Sequence, residues 1–251
     1  VAIVNDGYAE FLDDEFVGQG FGKFVDLDDR PRAKRLDRDV TKVALRELEE
    51  LRKRGEPFFM WVHYFGPHDP STKTKGIPDF GGSVAGKYEH EIRAWDEAVA
   101  PLLARLDALG TEQAVSVIVS ADHGEWARKK KRGHGNRLNG DTLRIPMILK
   151  GSGIEAGREE GIVSLVDVLP TVLALTQTPA PTYLDGIDMR GAGDVERVLI
   201  ADTWRFRGQG IPTHDLSAAF DGTHKLIVNQ LKQSRRVVKQ KLFEGKGGKN
   251  L

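Results

Sequence analysis

The feature that most restricts this chain is the run Phe58-Phe59-Met60-Trp61-Val62-His63-Tyr64-Phe65, aromatic or apolar throughout, opened by Pro57 and closed by Gly66-Pro67. A strand with one wet face alternates polar and apolar residues. An unbroken run of this length predicts a strand covered on both faces, as inside a parallel sheet flanked by helices. The surrounding pattern agrees. Residues 1–4 read as a short buried strand that stops at Asn5-Asp6-Gly7, whereas residues 18–29 show no period and read as a surface loop. Asp39 caps a helical face of Val40, Val43, Ala44, Leu48 and Leu51 that stops at Gly55, and Ile92, Trp95, Val99, Leu102, Leu103, Leu106 and Leu109 mark a second helix ending at Gly110. Pro101 inside that second pattern predicts a kink or break. Residues 114–120 and 144–149 read as strands, and Asp167 as the cap of a short helix through Leu175 with Pro170 in its first turn.

This order predicts an α/β fold, with a mostly parallel sheet flanked by helices. Beyond Gly193 the texture changes to short strands at 195–201, 216–220, 225–228 and 237–243, separated by turns such as Asp221-Gly222. We expect an α/β core over residues 1–192 and a small antiparallel subdomain over 193–251. The sequence begins without methionine in the middle of a strand-like run, which reads as a fragment whose true start lies upstream.

Composition removes several classes of function. Lys plus Arg equals Asp plus Glu at 37 each, so no global field draws the chain to nucleic acid. The absence of cysteine excludes disulfides, thiolate metal sites and a cysteine nucleophile within these residues. No apolar run approaches the ~20 residues that span a bilayer.

Chemistry-bearing residues gather at strand ends, where ligands bind in open α/β sheets. Asp122-His123-Gly124-Glu125 follows the strand at 114–120; adjacent Asp and His can offer an oxygen and a nitrogen to one divalent ion. His63-Tyr64-Phe65-Gly66-Pro67-His68-Asp69-Pro70 ends the aromatic run, and its two prolines stiffen the loop that carries His68. An imidazole held there can donate to the oxygen of a sulfate or phosphate ester, while His63 reads as a hydrogen-bonded core histidine. Gly133-His134-Gly135 lies eleven residues beyond His123 behind the basic run Lys129-Lys130-Lys131-Arg132, itself a solvated charge cluster.

The segment Pro57 to Pro70, the stretch Tyr88 to Asp96, Asp-His-Gly-Glu at 122–125, Gly-His-Gly at 133–135, Arg144-Ile145-Pro146-Met147-Ile148 and Ser164 to Thr171 together resemble the sulfatase family of the alkaline phosphatase superfamily. The resemblance runs from residue 1 to about 190, with an echo at residues 224–227 and 241–243. It implies that Asp122 and His123 are metal ligands, that His68 contacts the ester's anionic group, and that His134 binds substrate or stabilises the leaving group, which makes His68 and His134 the catalytic pair. It also implies one divalent ion, calcium by family habit, with Mn²⁺ or Zn²⁺ open because imidazole is the softer ligand. The expected substrate is a small-molecule or glycan sulfate ester, and the expected location the periplasm or cell envelope.

The family's N-terminal aspartate pair and its Cys/Ser-x-Pro-x-Arg nucleophile motif, the source of formylglycine, have no counterpart here, so the isolated chain is expected to be inactive. Two alternatives accompany this reading: a phosphodiesterase or phospho-alcohol transferase of the same superfamily, and a non-catalytic anion-binding pseudo-enzyme.

Overall fold

The computed structural model describes residues 1–5, 17–27, 37–68, 74–110, 115–128, 131–135, 137–207, 211–229, 241–244 and 249–250. The chain divides into two compact units, Val1–Ala114 with Ala127–Lys130 and Val115–Trp126 with Lys131–Leu251.

In the first unit the central strand is β1 (Ala2–Val4), flanked in parallel by β2 (Phe24–Asp26) on one side and β3 (Trp61–Val62) on the other. Ala2, Ile3 and Val4 are buried to 1% exposure or less. Burial of a side chain such as Ile3 contributes about 1.5–3 kcal/mol. β2 falls within the stretch that we expected to be loop, because three residues are too few to show a period.

The aromatic run is half-buried rather than enclosed, and only its centre is strand. Phe59 is 58% exposed. Residues 59, 61, 63 and 65 share one face of an extended chain, and their rings form a row: Phe21 stacks on Phe59 and Trp61, Trp61 tilts against His63, and His63 against Phe65. On the opposite face Tyr64 meets Trp95 edge-on.

α1 (Asp37–Arg54) begins two residues before the expected cap and buries Val40, Val43, Ala44 and Leu48. α2 (Val84–Gly110) runs through Pro101 without the expected break. The proline costs about 3 kcal/mol, but Leu102, Leu106 and Leu109 are buried in the turns that follow. At about 1.5–3 kcal/mol each, they offset it. Arg105 on α2 donates to Glu49 on α1 at 2.6 Å, and buried Glu47 takes Lys23 at 2.6 Å.

In the second unit β4 (Val117–Ser120) pairs antiparallel with β7 (Met147–Lys150), so the parallel arrangement belongs to the β2-β1-β3 sheet and not to this pair. Between them along the chain lie β5 (Trp126–Arg128), whose last two residues count with the first unit, then β6 (Lys131–Gly133) and the single-turn α3 (Gly140–Leu143). After α4 (Val168–Leu175) the chain forms an antiparallel sheet of β8 (Leu199–Arg207), β9 (Ile211–Phe220), β10 (His224–Asn229), β11 (Lys241–Glu244) and β12 (Lys249–Asn250), in the order β12-β11-β10-β9-β8. This is the small antiparallel sheet that the turn pattern foretold. Among the described residues no helix is long and apolar enough to cross a membrane.

Asp167 does not cap α4 through its side chain. It is fully buried and accepts from Ser164 N at 2.7 Å, Ile187 N at 2.9 Å and Arg197 Nη1 at 2.9 Å. Three donors spread over 34 residues of chain thus converge on the one carboxylate at the N-cap position of α4. Asp167→Ala strands a guanidinium that is 11% exposed, and we expect a loss of about 3–5 kcal/mol in urea unfolding. A change below 1 kcal/mol would show that the pair is not a stability hub.

Candidate active site

The Asp122-His123-Gly124-Glu125 turn begins where β4 ends. Ser120 Oγ donates to Pro146 O at 2.9 Å and ties that end to the chain entering β7. Gly124 N donates to Thr142 O in α3 at 2.8 Å. A Cβ at 124 would run into the carbonyl of Asp141, so only glycine lets the turn lie this close to α3.

Trp126 opens β5 and Gly133 closes β6, the two strands of a hairpin sheet. The residues just outside it, Glu125 and His134, therefore leave side by side. Glu125 Oε2 lies 2.9 Å from His134 Nδ1, and the carboxylate is buried, with its side chain 6% exposed. Glu125 Oε1 is buried with no hydrogen-bond partner among the described residues. A carboxylate can only accept, so the hydrogen of His134 sits on Nδ1 and Nε2 carries the other function of the ring.

The His134 ring stacks on that of His123, with centroids 4.1 Å apart and planes 28° from parallel. His123 Nδ1 lies 3.1 Å from Gly124 O, and its Nε2 lies 3.3 Å from Asp122 Oδ2. Asp122 Oδ1 takes the His123 backbone N at 2.9 Å, and its side chain is 77% exposed. Arg137 lies over the Trp126 ring at 4.4 Å, next to this cluster. Three of the four residues singled out from the sequence, Asp122, His123 and His134, are thus brought together.

Glu125 belonged to the motif but was not singled out. The signal was its place at the turn-to-strand junction, yet the partner that gives it a role is nine residues away across a hairpin.

His68 is positioned within the other unit. It closes the 3₁₀ turn Gly66–His68, its N donates to Phe65 O at 3.1 Å, and its ring stacks on Phe65 at 4.3 Å. Asp37, at the start of α1, accepts from Gly66 N at 3.0 Å, and a Cβ at 66 would strike its carboxylate. His63 stands in the aromatic row and its backbone N bonds to Ile3 O at 2.9 Å. Thr41 links Tyr64 OH, at 2.9 Å, to Ala98 O, at 2.7 Å, and burial pushes the Tyr64 hydroxyl up to about 12. Pro70, the second expected stiffener, and Lys129 and Lys130 of the basic run lie outside the described residues.

A sulfatase family model matches residues 4–178, and the chain belongs to the sulfatase family. Arylsulfatase K of Homo sapiens is 32% identical over 95 residues, which cover 38% of this chain and 18% of that protein. An ulvan-active sulfatase of Formosa agariphila is 32% identical over 169 residues, covering 57% of this chain and 33% of that one. The chain therefore spans a third or less of these relatives. A solved protein of the alkaline phosphatase superfamily from Vibrio parahaemolyticus superposes with TM-score 0.68 at 17% identity, taking in all of this chain and 59% of that one, and shares its fold.

Burial raises the Asp37 carboxyl above its ordinary value of 3.8, against the opposing bonds from Gly66 and Phe65 N–H. A carboxyl raised on folding stabilises the protein below its unfolded value, and that contribution is lost as pH rises through the folded one. The stability of the unaltered protein relative to Asp37→Asn should therefore fall as pH climbs from 3.8 through that window. Parallel urea midpoints for the two proteins across acid pH would contradict it.

Proposed function

We propose that the protein acts on sulfate esters, small-molecule or glycan, and that Asp122 and His123 supply two ligands to a divalent ion. The observation that carries this reading is the orientation of His123. Its Nδ1 lies 3.1 Å from the Gly124 carbonyl and its Nε2 3.3 Å from Asp122 Oδ2, both acceptors; an ion held between Nε2 and Oδ2 would leave the single ring hydrogen on Nδ1, facing the carbonyl. A ligand histidine with its far nitrogen fixed by a carbonyl is the usual arrangement around protein-bound metals. Among the described residues no group of three or more His, Cys, Asp or Glu is placed to hold an ion; Asp122 and His123 would supply two of its ligands. The family resemblance implies calcium; the imidazole suits Mn²⁺ or Zn²⁺ equally. When bound, such an ion polarises the transferred sulfuryl group.

The chain's own residues do the rest. With Nδ1 committed to Glu125, His134 presents Nε2 to hold or give a proton at the leaving-group oxygen. The stack on His123 fixes the ring plane, so the proton is delivered along one direction. His68, its turn braced by Asp37, is assigned as a hydrogen-bond donor to the ester's anionic oxygens. The sequence contains no cysteine and no Ser-x-Pro-x-Arg motif from which formylglycine could form. We therefore assign ligand binding, and not turnover, to residues 1–251 alone.

Thermal unfolding with CaCl₂, MnCl₂ and ZnCl₂ in turn tests the ion site. An ion at 100 times its Kd stabilises the folded chain by about 2.7 kcal/mol, and Asp122→Ala should abolish the rise in midpoint. No rise with any of the three ions counts against the metal reading. In a second measurement, p-nitrophenyl sulfate incubated with the 251-residue chain should release no nitrophenolate. Sustained release would refute the assignment of binding without turnover.

A further inference from the structure

The segment that follows His134 is gripped from the C-terminal sheet. Thr203 on β8 donates its hydroxyl to Gly135 O at 2.6 Å, and Lys225 on β10 donates Nζ to Leu138 O at 2.9 Å. Between these points the Thr142 hydroxyl lies 2.9 Å from Arg137 O. The carbonyls of Gly135 and Leu138 thus receive side-chain donors from the sheet, while the single Thr142 hydroxyl hydrogen is shared between Arg137 O and the Asn139 oxygens. Leu138, 4% exposed, fixes the segment's far end in the core.

The two grips come from one surface. Thr203 is in register with Leu216, and Leu216 with Asn229. Residues paired directly across an antiparallel ladder share a face, as do residues an even number apart on one strand. Lys225, four before Asn229, therefore stands on the same face as Thr203. The register irregularity of β8 lies beyond this region, between Arg205 and Phe206. Lys225 is half-buried, and burial and then Arg144 push its ammonium down against the opposing pull of Asp141.

We propose that Thr203 and Lys225 are positioning residues for His134: the face of the C-terminal sheet holds Gly135 and Leu138 so that the imidazole stays seated on Glu125. The proposal rests on the reading of His134 as a functional group, but its geometry involves neither ester nor ion. The loop carries a glycine on each side of His134, so its ordering is entropically costly and needs external anchors.

The test uses the full 251-residue chain labelled with ¹⁵N-histidine, with long-range ¹H–¹⁵N correlation of the imidazoles at one fixed pH. The unaltered protein should show His134 as a single tautomer with the hydrogen on Nδ1. Thr203→Ser, which keeps the hydroxyl, should preserve that signal. Thr203→Val combined with Lys225→Met should shift it toward the mixed tautomers of free histidine. His90, held by Pro78 O and Thr74 N in the other unit, should not move.

An unmoved His134 in the double variant overturns the proposal. If the double variant loses the His90 signal through unfolding, Thr203→Val alone decides: a shifted His134 supports the positioning role and an unchanged one overturns it. Binding of p-nitrophenyl sulfate and Ca²⁺ is measured on the unaltered chain in parallel. Failure of both to bind would count against the hydrolase reading while the tautomer result stands or falls separately.

Discussion

The contact between Glu125 and His134 is the one on which the rest of the site depends. Without the carboxylate at Nδ1 the imidazole has no fixed tautomer and no fixed plane; without that plane the stack on His123 loses its partner, and with it the constraint on the His123 ring beside Asp122. The conditions for the contact are local and severe. Gly124 must pass against the carbonyl of Asp141, α3 must present Thr142 O to its amide, and β5 must pair with β6 so that Glu125 and His134 meet.

Buried acids recur as braces in this molecule, and they differ in how well they are compensated. Asp167 takes three donors, one a guanidinium, and serves architecture. Asp37 is held by the backbone N–H groups of Gly66 and Phe65 and stays perturbed, which is consistent with a cost accepted in order to fix the His68 turn. Glu125 uses one oxygen and leaves the other buried without a partner among the described residues. An unmet acceptor of this kind costs about 1–3 kcal/mol, so the gradient from Asp167 to Glu125 runs from stability toward function.

Much of the framework was legible in the sequence because apolar spacing records it directly. α1, the buried face of α2, β1 and the run of C-terminal strands follow from residues such as Val40, Leu48, Leu106 and Ile3. β2 escaped notice because Phe24-Val25-Asp26 is shorter than any period. The antiparallel sense of β4 and β7 was illegible for another reason: strand direction is set by the path of the connecting chain and leaves no mark on Val117 or Ile148. At the site, the motif marked Asp122, His123 and His134, but the partners of Glu125 and Asp167 lie 9, 20 and 30 residues away and no local pattern encodes them.

The Asp167 anchor has a consequence for how this chain tolerates cleavage. Between α4 and Ile187 the backbone runs past Tyr183, which is 81% exposed, so a protease has ready access there. Yet Ile187 and Arg197 on the far side are bound to the same carboxylate that holds Ser164 on the near side. A cut at that loop would separate the covalent chain while leaving its two pieces clasped at this dry ionic knot, so the nicked molecule would travel as one species until denaturant parted it.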